Sequence, residues 1–476
     1  MNEEIWQSSA TKIAAAVSRR ELSCQEVMRT FLDRIAALDG HTNAFSVVEP
    51  GQALIAARDA DEAIRAGRAL GPLHGLPITI KDVIPTQGMR TTYGSRLYAD
   101  HIPETEPEVV ARVRRAGAII VGKTTTPEFA HKVLTDSPLH GITRNPWSLE
   151  RSPGGSSGGA AVAAAMGYCP LNVSTDGAGS SRIPAANCHV VGLKPTMGAI
   201  PNDGGADLFA MQVLGVIART TEDASLLFDV LSGPYDGDPF SLGAENKPDT
   251  EAGSRPVLKN LRVRYFPRMG NVHVDAEVLQ AVERALALME TQGSIVLEDG
   301  DINWRHDAWR IMLRAQQAAR FRDSYPDIKH LLDPSMAQCI EEGLSQDVIE
   351  LQDALMARSA LYKDLHRIFQ TADVIVSPTS ATPALFATHH ANEPVIINGK
   401  EAGTLRQAWY NYTVPINGAG HPAISLPCGF SHEGLPIGMQ IIGPWHRERM
   451  LLRLAAELQE LLGWTDRWPD LASQRG

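Results

Sequence analysis

Pro153-Gly154-Gly155-Ser156-Ser157-Gly158-Gly159, running into Ala160-Ala161-Val162-Ala163-Ala164-Ala165-Met166, is the stretch on which the reading of this chain turns. Gly/Ser composition by itself describes a flexible linker. This run is short, however, and passes into a helix of small apolar residues with no polar face, which belongs inside a protein. Residues 152–175 are 24 positions without a charge. They are too rich in Gly and Ser, and broken too soon by Pro170, to supply the roughly 20 predominantly apolar residues of a membrane span. After a short strand over 171–174 the chain returns to the same chemistry in Thr175-Asp176-Gly177-Ala178-Gly179-Ser180-Ser181-Arg182-Ile183-Pro184, where Pro184 suits the start of a helix. Two Gly/Ser loops thus lead into two helix N-termini, with Ser156 and Ser180 24 residues apart. Helix N-termini present free N–H groups and positive partial charge, and glycine lets amides approach a ligand closely. Together these features can form an oxyanion hole around a serine.

Outward from this centre, helices and strands alternate. Residues 9–70 read as two helices. Ser23 and Glu26 have capping-box spacing, followed by Val27, Phe31, Ile35 and Leu38 at helical intervals, and 53–70 is Ala-rich with scattered charge. Residues 75–83 are apolar and β-branched, as in a strand. Thr105 and Glu108 form a second capping-box pattern ahead of a helix ending at Gly117, and 118–121 follows as a buried strand. Residues 275–290 and 303–370 are helical by pattern, 373–376, 423–426 and 439–442 are strands, and 448–462 is a closing amphipathic helix. The Gly-, Pro-, Asp- and Asn-rich stretch 233–260 is a surface excursion. There is no internal repeat. The alternation predicts an α/β fold, one large domain over 1–476 with a central twisted sheet, mostly parallel or mixed, flanked by helices.

Several functions are excluded early. Lys plus Arg is 44 and Asp plus Glu 55, so the net charge is −11, which argues against nucleic acid as a partner. The odd set Cys24, Cys169, Cys188, Cys339 and Cys428 has no CxxC, so a disulfide framework is not expected and a reducing, cytoplasmic setting is. The acidic start Met1-Asn2-Glu3-Glu4 has neither the basic nor the apolar region of a signal peptide. No HExxH or Cys/His cluster suggests a metal. Gly117 to Thr124 fits a P-loop on paper, but residues 118–121 are the strand itself, whose extended backbone cannot cradle a phosphate. Ser9-Ala10-Thr11-Lys12 fits SxxK but is better read as a helix N-cap. Gly154-Gly155-Ser156-Ser157-Gly158 contains GxSxG without a preceding strand. A His-dependent esterase using Ser156, with His189 or His421 as base, stays open as an alternative.

A serine needs a base. Lys81 ends the apolar run Leu76-Pro77-Ile78-Thr79-Ile80-Lys81-Asp82. A lysine buried there would be driven toward neutrality by about 3–5 pKa units and could act as a base near pH 7. Lys81, the run Gly154–Gly159 and the run Thr175–Pro184 together resemble the amidase signature family. Gly75-Leu76-Pro77, Gly122-Lys123-Thr124 with Glu128-Phe129, Thr143-Arg144-Asn145-Pro146-Trp147, Gly192-Leu193-Lys194-Pro195-Thr196, Ala218-Arg219-Thr220 with Asp223, Gly420-His421-Pro422-Ala423 and Gly434-Leu435-Pro436-Ile437-Gly438 extend the resemblance over nearly the whole chain.

The resemblance implies a Ser–cis-Ser–Lys triad. Ser180 is the nucleophile, Ser156 the bridging serine after a cis peptide, and Lys81 the base. The amides of Gly177, Ala178, Gly179 and Ser180 form the oxyanion hole. Ser157 braces Lys81 and the loop, while Asp176 and Arg182 hold the loop in shape. The signature core spans about 70–230, and a helical and C-terminal part, about 260–460, forms the substrate cleft. Trp147, Phe209, Met211, Trp409 and Tyr410 are the pocket candidates. The sequence departs from the family pattern at Ala178, Ser181, Ala199 and Thr125, which leaves the shape of the acyl pocket open. The implied enzyme is a cofactor-free serine hydrolase of linear amides, with anilides, carbamates and esters as further substrates. It needs only a small-molecule substrate, without membrane or nucleic acid, and family members are often homodimers. The alternatives are the glutamine-hydrolysing subunit of a tRNA-dependent amidotransferase and a catalytically inactive binding scaffold.

Overall fold

The computed structural model describes residues 5–204, 211–243, 257–298, 302 and 304–471. Its strands in chain order are β1 Phe45–Val48, β2 Pro77–Lys81, β3 Ile119–Thr124, β4 Asp136–Ser137, β5 Gly141–Ile142, β6 Leu171–Asp176, β7 Val191–Lys194, β8 Val213–Ala218, β9 Arg262–Tyr265, β10 Ile295–Glu298, β11 Val374–Pro378, β12 Pro394–Ile397, β13 Lys400–Thr404, β14 Ala423–Phe430 and β15 Pro436–Ile442. Eleven of them form one sheet in the order β1-β3-β2-β6-β8-β7-β14-β15-β11-β9-β10; β4-β5 and β12-β13 are small ribbons.

The fold is a single α/β domain, and of the two sheet types expected it has the mixed one. Four neighbouring pairs in the large sheet are parallel and six antiparallel. The antiparallel pairs are concentrated from β6 to β11, because β8, β7, β14 and β15 all pair antiparallel to their neighbours. The inner strands β2, β3, β6, β7 and β8 are buried along their whole length. That suits runs such as Ile78-Thr79-Ile80 and Val213-Leu214-Gly215-Val216, which are covered on both faces.

The small-residue helix is Gly158–Ala165, with every residue buried. Its size is set by what it touches: a Cβ on Gly159 would stand 2.5 Å from Ala44 O and Thr125 N. The backbone of the helix is therefore packed against its neighbours as closely as glycine permits.

Local expectations hold in part. Residues 9–70 contain three helices, Ala10–Ser18, Cys24–Thr42 and Pro50–Arg65, rather than two. Ser9 caps the first through Lys12 N, and Ser23 with Glu26 forms the expected capping box on the second. The Thr105/Glu108 box does not form. That helix is Glu108–Arg115 with Pro107 at its N-cap. Its Glu108 N–H donates instead to the Asp203 carboxylate at 3.1 Å, a partner far along the chain that local spacing cannot reveal. Residues 244–256 of the excursion 233–260 lie outside the described residues. Among the described residues no helix is long and apolar enough to cross a membrane, and the five cysteines are free.

Candidate active site

β2 and β6 are parallel neighbours, with Ile80 opposite Val173. Their C-terminal ends therefore lie side by side and present Lys81 and Thr175 to the same place, the usual position for a site in a parallel sheet. The first Gly/Ser loop reaches this place through a cis Gly155–Ser156 peptide just before the helix Gly158–Ala165. Thr135 secures that loop. Its hydroxyl donates to Gly154 O at 2.7 Å and accepts from Gly158 N at 3.1 Å.

Lys81 Nζ lies 2.7 Å from Ser156 Oγ and 2.9 Å from Thr175 Oγ1, and the lysine is 0% exposed. Burial drives its pKa well below the ordinary lysine value, against the opposing pull of Asp176. The expected brace from Ser157 to Lys81 is indirect. The Ser157 hydroxyl donates to Thr175 O at 3.2 Å, so its hold on the lysine runs through Thr175, whose hydroxyl makes the direct contact.

The second loop is built around a buried ion pair. The Arg182 guanidinium donates to Asp176 Oδ1 at 2.9 Å and to Oδ2 at 3.0 Å. Burial would raise the Asp176 pKa, but Arg182 outweighs it and holds the carboxyl well below the usual range. The same carboxylate accepts from Gly179 N at 2.7 Å and from Ser181 N at 3.1 Å. This changes the expected oxyanion hole. The Gly179 amide already has a strong charged acceptor, whereas the amides of Gly177, Ala178 and Ser180 donate to no described residue. From the far end of the chain, Thr413 Oγ1 donates to Ala178 O at 2.7 Å, and Asn417 Nδ2 donates to Asp176 O at 2.8 Å. Gln440 accepts from Arg182. These C-terminal clamps carry no motif and were not foreseen.

Ser156, Thr175, Gly177, Ala178 and Ser180 all line one cavity of about 350 Å³. Its opposite walls come from the helices Ala308–Phe321 and Val348–Ile368, through Trp309, Met312, Leu313, Leu351 and Leu355. Of the pocket candidates, Met211 and Tyr410 line it. Trp409 does not. It is fully buried, with its Nε1 donating to Thr382 O at 3.2 Å. Trp147 also lies elsewhere, packed on His189 and Phe430 with its Nε1 donating to Cys188 O. Phe209 lies outside the described residues.

Among the departures from the family pattern, only Ala178 reaches the cavity. The Ser181 hydroxyl turns inward to Ser174 at 2.7 Å, Thr125 bonds Thr143 at 2.7 Å, and Ala199 is core. The His-dependent reading fails on placement. Neither His189 nor His421 lines the cavity, and burial pushes both down to about 3. Among the described residues no group of His, Cys, Asp and Glu could hold a metal ion.

A family model described as Amidase matches residues 26–452. The chain belongs to the amidase signature family. It is 35% identical to an acylamidase of Rhodococcus erythropolis, over 97% of each chain. It is 32% identical to a glutamyl-tRNA(Gln) amidotransferase subunit of Moorella thermoacetica, over 98% of this chain and 99% of that one. Among solved structures, a bacterial aryl acylamidase of the amidase signature family superposes with a TM-score of 0.89 at 26% identity, over 96% of this chain and 98% of that one. A 6-aminohexanoate cyclic dimer hydrolase superposes with a TM-score of 0.85 at 28% identity, over 98% and 99%. As an amidase signature enzyme, the chain is a hydrolase of amide C–N bonds.

Proposed function

We propose that this amidase signature enzyme cleaves linear amides by acyl transfer to Ser180, with Lys81 as base acting through Ser156. The observation that carries the reading is a lysine shielded from water, its pKa lowered by burial, 2.7 Å from Ser156 Oγ, with Ser156 and Ser180 lining one cavity. As Ser180 Oγ attacks the carbonyl carbon, its proton passes to Ser156 Oγ, and the Ser156 proton passes to Lys81 Nζ. The oxyanion is held by the amides of Gly177, Ala178 and Ser180, fixed before the reaction by Asp176–Arg182 and Thr413. The proton returns through Ser156 to the leaving nitrogen as the C–N bond breaks. Water then attacks the acyl-enzyme by the same route and frees Ser180.

The lining favours apolar acyl and aryl amides, anilides included; esters and carbamates fit the same chemistry. Likeness to the amidotransferase subunit supports a second reading, glutamine hydrolysis. Against it, no Asp or Glu lines the cavity among the described residues, so a glutamine α-ammonium would be buried without a counter-charge. Five free cysteines and the net charge of −11 support a cytoplasmic enzyme that works without nucleic acid.

The test is hydrolysis of a chromogenic anilide beside glutamine. Ser180→Ala abolishes anilide turnover and Lys81→Ala lowers it by orders of magnitude. Unchanged turnover in either variant contradicts the mechanism, and turnover of glutamine alone favours the second reading.

A further inference from the structure

Among the described residues, one buried polar atom of the cavity wall has no hydrogen-bond partner. Gln317 stands on the helix Ala308–Phe321 and lines the cavity at 6% exposure. Its Oε1 is buried without a hydrogen bond, and no described residue bonds its side chain. On its own helix the wall is mostly apolar: Trp309 and Leu313 precede it at helical spacing on the same stripe, with Met312 beside them, while Gln316 and, from the facing helix, Arg358 add polar groups. A buried carboxamide left unpaired costs stability in the free protein, and native structures contain few such groups. A leucine or methionine would have closed this wall at no such cost.

Position along the helix says what the group can reach. Trp309 packs on Tyr410, whose carbonyl accepts from Thr413, the residue that holds Ala178 of the oxyanion loop. Phe321, at the other end, packs on Phe129. Gln317 is eight residues beyond Trp309, roughly 12 Å along the axis at 1.5 Å per residue. It therefore stands well along the wall from the end of the helix that packs on Tyr410.

We propose that Gln317 is a specificity residue for a second carboxamide carried by the substrate several atoms from the scissile bond. A carboxamide presents both an N–H and a C=O, so it pairs with the Gln317 side chain in either orientation of that amide. The terminal amide turns about its last side-chain bond to meet the substrate, and binding then supplies the partner that Oε1 lacks in the free protein. The preferred substrates are uncharged diamides rather than simple alkyl or aryl amides. This inference rests on the acyl-transfer reading above and names its substrate class.

The experiment compares kcat/KM for matched 4-nitroanilides in wild type and in the volume-conserving variant Gln317→Met. N-Acetyl-β-alanyl, N-acetyl-4-aminobutyryl and N-acetyl-6-aminohexanoyl anilides are paired with alkanoyl anilides of equal chain length. A second set carries the extra carboxamide, or an alkyl group of equal length, on the aniline ring. Wild type prefers the diamide by about tenfold or more at the best spacing in one set. In Gln317→Met that ratio falls to near unity while turnover of the alkanoyl anilide is kept. A purely structural role for Gln317 would change both substrates together and leave the ratio intact. Equal kcat/KM for every pair in wild type, or a preference that survives in Gln317→Met, overturns the inference while leaving acyl transfer standing. A wild type inactive on both sets, diamides and alkanoyl anilides alike, removes the acyl-transfer reading and this inference with it.

Discussion

Lys81 and Ser156, 75 positions apart in the chain, meet at 2.7 Å inside the protein. Among the described residues the lysine has no carboxylate in hydrogen-bond contact, only the hydroxyls of Ser156 and Thr175. Such a site favours the uncharged amine, which can accept the Ser156 proton while donating to Thr175.

Two pH effects follow. Activity rises with pH through the depressed Lys81 pKa and reaches its plateau well below the titration range of a free lysine, because only the neutral amine is a base. Stability carries the same sign. Between the folded and unfolded pKa values the unfolded chain binds the extra proton, so Lys81 weakens folding there, and the penalty fades as pH rises toward the unfolded value. Lys81→Met is therefore inactive, and wild type gains stability relative to it between pH 7 and 10, as measured by denaturant unfolding. Lys123 and Lys194, both lowered to about 7 chiefly by burial, titrate in both proteins and cancel in the comparison.

Asp176→Asn leaves the Arg182 guanidinium buried without its counter-charge. Breaking a buried pair in this way costs about 3–5 kcal/mol. The midpoint of denaturant unfolding falls accordingly. Anilide turnover falls as well, since Asp176 also holds the amides of Gly179 and Ser181.

Gly179→Ala disturbs the oxyanion loop directly. Gly179 has φ +110°, and an added Cβ would lie 2.4 Å from Thr413 Oγ1, the hydroxyl that secures Ala178. The expected result is a fall in kcat of about 10²–10³, with little change in KM, read by steady-state kinetics.

His189→Ala and His421→Ala keep anilide turnover within a few-fold of wild type. Both rings are packed among aromatic neighbours away from the cavity. Loss of activity in a folded variant would restore a histidine base.

The two Gly/Ser loops and Lys81 were legible in the sequence because their chemistry is local: glycines before small residues, and a lysine ending an apolar strand. The sheet type was less legible. Runs such as Val213–Ala218 are apolar throughout because both faces are covered, and that pattern does not tell parallel from antiparallel pairing. The contacts of Thr175, Thr413 and Asn417 with Lys81, Ala178 and Asp176 leave no signal in the sequence, because they arise only when distant segments meet. Trp147 and Trp409 misled for the converse reason. Aromatic bulk serves packing as readily as substrate binding, and only their positions separate them from Tyr410.

The most direct test of the account is the mass of the enzyme quenched during turnover of an activated ester. Acyl transfer predicts a mass increase equal to the acyl group, mapped to the peptide carrying Ser180, and no such increase in Ser180→Ala. An adduct on Ser156 instead, or full turnover by Ser180→Ala with no adduct at all, would contradict it.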